Sequence, residues 1–161
     1  PQLKKMIPAG DFEPGTKPSV LRLDDKVLGP QICYESLFPE YTKNVVDLGA
    51  EVLVNVTNDS WYGTWQEPWQ HLYMTVARAV EFRRPLVRST NTGISTVALA
   101  SGEVGELSPL QQEWTGFYRL PYVKNPAPTL YQRLFWYIPG VIWLITVLII
   151  LKAWRDRTQI T

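Results

Sequence analysis

Residues 134–151 make up an eighteen-residue run with no charged side chain, bracketed by Arg133 and Lys152, and no other segment of the chain restricts the fold as tightly. Eighteen helical residues at ~1.5 Å each extend about 27 Å, close to the ~30 Å hydrocarbon core of a bilayer. Trp136, Tyr137 and Trp154 fall near the two ends of the run, where interfacial aromatic residues belong. A buried core helix is the alternative, and Pro139-Gly140 favours it slightly by shortening the uninterrupted part. Length and flanks together predict a transmembrane helix over 134–151. The tail, 152–161, carries Lys152, Arg155 and Arg157 against one acid, Asp156. The positive-inside tendency then places the tail in the cytoplasm and everything before the helix on the opposite side.

The preceding residues have a different character. Residues 1–18 are rich in Pro, Gly and charge and read as a connecting loop. The chain begins at Pro1 with no leader-like run, which reads as a start within a longer protein. Residues 19–23 alternate apolar and polar side chains, Asp24-Asp25-Lys26 is turn chemistry, and 27–34 suits a returning strand. Pro39 marks a helix start and Gly49 its end. The short apolar run 52–56 has the look of a strand buried on both faces. A helix is predicted from about Pro68 to Phe82, with Trp69, Leu72, Tyr73, Val76 and Val80 on its apolar face and Gln70, Arg78 and Glu81 elsewhere. Strands follow at 85–88 and 94–100, a hairpin turn at Ser101-Gly102-Glu103, and a further strand at 116–120. Strands alternating with helices and then hairpins define an α/β plan with a mixed sheet.

The chemistry open to such a chain is narrow. Sixteen basic and fifteen acidic residues nearly cancel, so no strong field points to nucleic acid. One Cys and one His exclude an intrachain disulfide and a cysteine-rich zinc site. The single thiol, Cys33, closes an apolar strand a few residues before a helix. A nucleophile on such a turn is exposed at the sheet edge, where following backbone N–H groups face a developing oxyanion, and Glu35 is near enough to orient it. The same local pattern also fits a small buried hydrophobe. Asn58-Asp59-Ser60-Trp61-Tyr62-Gly63 follows a strand, where α/β folds place ligand-contacting loops, although Asn and Asp also favour ordinary turns. His71 has no obvious partner in the sequence, and Arg88 suits either an anion or a carboxylate of the fold.

Taken together these segments resemble one family. Gln31-Ile32-Cys33-Tyr34-Glu35 is similar to the nucleophile motif of the apolipoprotein N-acyltransferases, a membrane branch of the nitrilase superfamily. The 58–63 segment, Pro68-Trp69-Gln70-His71 and the stretch 84–93 are similar to its later motifs, in order and at matching intervals. The resemblance runs from about Pro8 through the terminal apolar helix. It implies that residues 19–125 are the C-terminal part of a nitrilase-like αββα sandwich with a Glu-Lys-Cys triad, sited in the bacterial inner membrane with the catalytic domain on the periplasmic side. It further implies Cys33 as nucleophile, Tyr34 and Glu35 as its close supports with the Tyr34 amide an oxyanion donor, and Trp61 in an acyl or lipid pocket. Asn58, Asp59, Trp69, His71 and Arg88 match motif positions and are expected to be architecture. The implied donor is a phospholipid and the implied acceptor a diacylglyceryl apolipoprotein, with no metal and no dissociable cofactor.

In the family pattern the Glu and Lys of the triad come before the Cys, the Lys in a segment ending in a Pro-Phe-Gly-Glu-like motif that this sequence does not contain. Lys4 and Lys5 lie beyond that position and are not assigned the role. The expectation is that these residues carry the nucleophile and do not turn over alone. Two other readings compete. A nitrilase-type amidase or carbamoylase acting on small amides predicts the same Cys with no apolar helix after the domain. A non-catalytic membrane-anchored interaction module predicts that Cys33 is a packing residue.

Overall fold

The computed structural model describes residues 15–158. Most of the expected linker, with Lys4 and Lys5, and the last three residues of the tail lie outside the described residues. Five strands form one mixed sheet in the order β1-β2-β3-β4-β5: Leu21–Leu23, Lys26–Ile32, Val52–Thr57, Leu86–Thr90 and Thr96–Ala98. β2, β3 and β4 run parallel, and β1 and β5 flank them antiparallel. Parallel neighbours need crossover connections. Helix α1 (Pro39–Asp47) supplies the one from β2 to β3, and α2 (Glu67–Phe82) the one from β3 to β4.

Both crossover helices pack on the same face of the sheet. Val45, Val46 and Ala50 from the α1 region, Leu53 from β3, Leu72, Ala79 and Phe82 from α2, and Leu86 from β4 are buried together. Gly29 lets α1 approach: a Cβ there would lie 2.9 Å from the Ala50 Cβ and 3.2 Å from Val45 Cγ2. Residues alternate across a strand, so Leu53 and Asn55 face the helices, while Val54 and Val56 face away from them. On that second face Leu21, Leu23, Ile32 and Val56 are exposed. Helices on one side of a sheet whose other side is apolar make one α-and-β half of the expected four-layer sandwich.

Two expectations need correction. Leu72 and Val76 are buried as expected, but Trp69, Tyr73 and Val80 are exposed, and Pro68, His71, Thr75, Arg78, Ala79 and Phe82 complete the buried face of α2. The helix carries apolar residues around more of its circumference than one stripe, so spacing alone did not select the stripe that packs. Arg78, expected on the outer face, is buried and paired with Glu81 at 2.8 Å. No strand forms at 116–120. The segment beside β5 is 104–108, where Val104 bridges Ala98, Gly105 N–H donates to the Val97 carbonyl and Ser108 N–H to that of Ser95. It occupies the edge that a strand at 116–120 would have needed.

The chain then returns under the sheet. Arg84, buried just after α2, donates to the carbonyls of Ala50, Phe82 and Pro126, tying the return segment to the core. A short helix α3 (Leu130–Leu134) ends where the apolar run begins, and most of the run lies in a long helix α4 (Tyr137–Thr158). Between them Phe135 is buried, edge-on to Tyr131, which is in turn edge-on to Phe82 of α2. Within α4, the stretch Tyr137–Asp156 contains an eighteen-residue window with a mean hydropathy of 1.9 and is long and apolar enough to cross a membrane. None of its most apolar window is buried in the protein, unlike the core helix of a globular domain.

Candidate active site

Cys33 is the first residue after β2 and opens a 3-10 turn, Cys33–Leu37. It stands at the carboxyl edge of the parallel strands, with the loops that follow β3 and β4. Its φ is +53°, a left-handed value that an L-residue with a Cβ adopts only against a local cost. The thiol is partly exposed and free. Glu35 folds back so that its carboxylate accepts the Ile32 N–H at 2.6 Å, bracing the backbone just before the turn.

Tyr34 extends the site toward α2. Its ring stacks on His71, with centroids 5.2 Å apart and planes 20° from parallel, and meets Tyr62 edge-on at 6.0 Å. Tyr34, Tyr62, Gln70, His71 and Met74 line a cavity of about 110 Å³. Gln70 and Met74 also line a larger surface groove of about 690 Å³, with Trp65, Trp69 and Tyr73. Trp61 lies on the β3–α2 loop, 81% exposed, and lines neither cavity.

Behind the turn is a polar network inside the helix-facing core. Asn55 Nδ2 donates to the carbonyls of Gln31 and Cys33, each at 3.1 Å. Its Oδ1 accepts from the Arg88 guanidinium. Arg88, 1% exposed, also donates through Nη2 to Asp59 at 2.8 Å and through Nε to the Ile94 carbonyl at 3.3 Å. Asp59 takes further hydrogen bonds from Thr57 Oγ1 and at His71 Nδ1, both at 3.1 Å. Burial pushes the Asp59 carboxyl up, but the His71 hydrogen bond and the Arg88 charge outweigh it and hold the group below its ordinary value. Burial lowers the Arg88 guanidinium, against the opposing pull of Asp59. Burial also raises the Tyr62 hydroxyl, helped by its hydrogen bond with Tyr34.

The structure thus brings Cys33, Tyr34, Glu35, Asp59, His71 and Arg88 into one neighbourhood and leaves Trp61 at its surface. His71, without an obvious partner in the sequence, has Asp59, and Arg88 pairs with the same carboxylate. Asn55 was not singled out by sequence reasoning. The signal was present: it is the one polar residue within the apolar run 52–56, at the same strand parity as Leu53, which faces the helices. Among the described residues no group of three or more His, Cys, Asp or Glu is arranged to hold a metal ion.

A half-sandwich with a cysteine on a left-handed turn at the carboxyl edge of its parallel strands is a carbon-nitrogen hydrolase element. The chain belongs to that family, whose sequence model matches residues 5–116. Among curated relatives, the apolipoprotein N-acyltransferase of Bdellovibrio bacteriovorus is 50% identical over 138 residues, covering 83% of this chain and 25% of the relative. That of Geobacter metallireducens is 42% identical over 114 residues, covering 70% of this chain and 22% of the relative. The chain therefore spans about a quarter of the length of the curated relatives it matches. Among solved structures, an amidase from Nesterenkonia sp. superposes with a TM-score of 0.51 at 25% identity, over 62% of this chain and 40% of that one.

Proposed function

We propose that this chain carries the nucleophile of a membrane acyltransferase that completes bacterial lipoproteins by acylating their N-terminal amine. The observation that carries the reading is Cys33 on its left-handed turn, in a chain half-identical to an apolipoprotein N-acyltransferase and followed by an exposed apolar helix. The Cys33 thiolate attacks the acyl ester carbon of a phospholipid. A C–S bond forms, the ester C–O bond breaks, and the lysophospholipid leaves with a proton. The α-amine of a diacylglyceryl-cysteine then attacks the thioester carbon, forming the amide C–N bond and returning the thiol. Two easier steps replace one hard acyl transfer, which suits a thiolate. The Tyr34 amide faces the oxyanion of each tetrahedral intermediate, and Glu35 holds the backbone that presents it.

The groove formed by Trp65, Trp69, Tyr73 and Met74 has the apolar lining an acyl chain requires, and it shares Gln70 and Met74 with the cavity beside Tyr34. Trp61, exposed on the β3–α2 loop that also carries Trp65, contacts lipid. The α4 helix spans the inner membrane, with the domain on the periplasmic side and the tail in the cytoplasm. In the family pattern the base Glu and the Lys precede these residues, so the 161 residues alone do not turn over.

The test uses the full-length protein in membranes with a phospholipid bearing a fluorescent acyl chain. A hydroxylamine-sensitive acyl adduct is expected, lost in Cys33→Ser together with at least about a thousandfold in acyl transfer. An adduct that survives Cys33→Ser, or none in folded, inserted protein, overturns the reading. Hydrolysis of small amides without transfer to a lipoprotein amine would favour the amidase alternative.

A further inference from the structure

The polar network behind the nucleophile turn has no part in the acyl-transfer steps above, yet it is buried and costly to assemble. A fully buried guanidinium and carboxylate lose the hydration of two charges, a penalty that a salt bridge often fails to repay with stability. Two well-packed apolar side chains would fill the same space more cheaply. The network's geometry shows what it serves. It ends on the backbone of Cys33: the Cys33 carbonyl accepts both Asn55 Nδ2 and Ser36 Oγ, each at 3.1 Å. Ser36 Oγ in turn lies 2.9 Å from Thr75 Oγ1, and Arg88 Nη1 reaches Thr75 Oγ1 at 3.4 Å as well as Asn55 Oδ1. The path from the Cys33 carbonyl through Ser36, Thr75, Arg88 and Asn55 closes back on the same carbonyl. Asn55 additionally donates to the Gln31 carbonyl, so it grips the chain on both sides of Ile32.

We infer that Asn55, set by Arg88, is a positioning residue for the nucleophile: it clamps the backbone of Cys33 in the left-handed conformation that presents the thiol. Resting on the acyl-transfer reading, this assigns Asn55 and Arg88 a part in the rate of acylation without contact with the acyl group. The left-handed turn is disfavoured for a residue with a Cβ and persists only where its surroundings over-determine it. Two donors on one carbonyl, backed by a guanidinium that is itself fixed by Asp59 and the Ile94 carbonyl, supply that constraint. Asp59 also holds His71, on which Tyr34 stacks, so the residue after the nucleophile is set from the same carboxylate.

Asn55→Asp tests the clamp with little change of volume. It keeps an acceptor for Arg88 and replaces the two-pronged donor with an oxygen facing two carbonyls. In single-turnover acylation of the full-length protein, burst amplitude reports the fraction of competent sites and the rate constant reports how well each is set. The expected result is an acylation rate constant at least about a hundredfold lower, with an amplitude near wild type and the phospholipid concentration dependence shifted by less than about threefold. Arg88→Lys, which keeps the charge and loses the fork, is expected to reproduce the rate loss in part. A reduced amplitude with an unchanged rate constant would mark the network as structural support alone and overturn the inference, as would no change in either. A wild type that forms no adduct sinks the acyl-transfer reading itself. The clamp is then read from iodoacetamide alkylation of Cys33, expected to be at least about fivefold slower in Asn55→Asp, because a relaxed turn no longer presents the thiol. Equal alkylation rates overturn it.

Discussion

Gly93 sits against the carboxylate on which the site's buried charges converge. A Cβ at that position would lie 2.0 Å from Asp59 Oδ2, and Asp59 cannot retreat without giving up Arg88, His71 or Thr57. Gly93→Ala is therefore expected to destabilise the folded protein by about 2–4 kcal/mol, as an overpacked contact that also loosens a buried ion pair. A thermal or urea unfolding midpoint, compared with that of Gly102→Ala, checks it. At Gly102 the obstruction is the end of one Val80 side chain, so the clash is easier to relieve, although its positive φ adds a backbone cost. At this scale the sequence offered a candidate nucleophile and concealed what surrounds it. Cys33 is the chain's single thiol, at the end of an apolar strand. Asn58, Asp59 and Asn91 have the composition of any turn, and nothing local shows that Asp59 meets a guanidinium 29 residues away. Pairings that close only when β3 lies beside β4 are invisible to local pattern.

Helix α2 shows the same limit at the scale of an element. Its bounds were legible to within a residue, because Pro68 suits a first turn and the helix ends before a left-handed Arg83. Its buried face was legible only in part: Leu72 and Val76 pack inward, but Trp69 and Tyr73, whose large rings fall at the same helical spacing, stay exposed. The polar part of the buried face, His71 and Thr75, belongs to the network with Asp59 and Arg88 from the β3–α2 loop and β4. That network is expected to make the packing of α2 on the sheet acid-sensitive. The Asp59 carboxyl is held below its ordinary 3.8 in the folded protein, so its contribution to stability is fully present above that value and is lost as pH falls through the lower, folded value. Loss of structure attributable to Asp59 is expected only below about pH 4, with no change between pH 5 and 8. Asp59→Asn should flatten that acid limb of the unfolding profile and lose about 3–5 kcal/mol at neutral pH, where Arg88 is left without its counter-charge. Circular dichroism of the two proteins across the acid range measures both effects. An acid limb unchanged by the substitution would show that other carboxylates set it.

For the whole molecule, the order of parallel strands, crossover helices and antiparallel flanks followed from apolar runs and their punctuation, and so did the exposed helix at the end. The open second face of the sheet departs from the reading of 52–56 as buried on both faces, since Val56 is exposed; an apolar run does not show whether its far side meets water, protein or another sheet. The reading of α4 as a span makes a direct prediction. Val147, exposed near its centre, replaced by Lys should cost insertion about 2.5–3.5 kcal/mol, whereas Val147→Ala should be tolerated. Glycosylation mapping of the C-terminal tail in the full-length protein reads the outcome. A tail that reports the same side in Val147→Lys as in wild type, with undiminished insertion, would count against α4 as a membrane span.

The burial of Phe135 gives the domain a stiff neck. Only Phe135 and Trp136 separate α3 from α4, and Phe135 is seated among Tyr131 and the aromatic end of α2. With α4 in the bilayer, as proposed, those two residues would be all that joins the head to its stalk. A thinner or thicker bilayer changes the lean of a fixed-length helix, and in that arrangement the lean would carry over through Phe135 to the Cys33 edge. In the proposed membrane arrangement, bilayer thickness would thereby set how the Cys33 edge is held, read mechanically with no ligand involved.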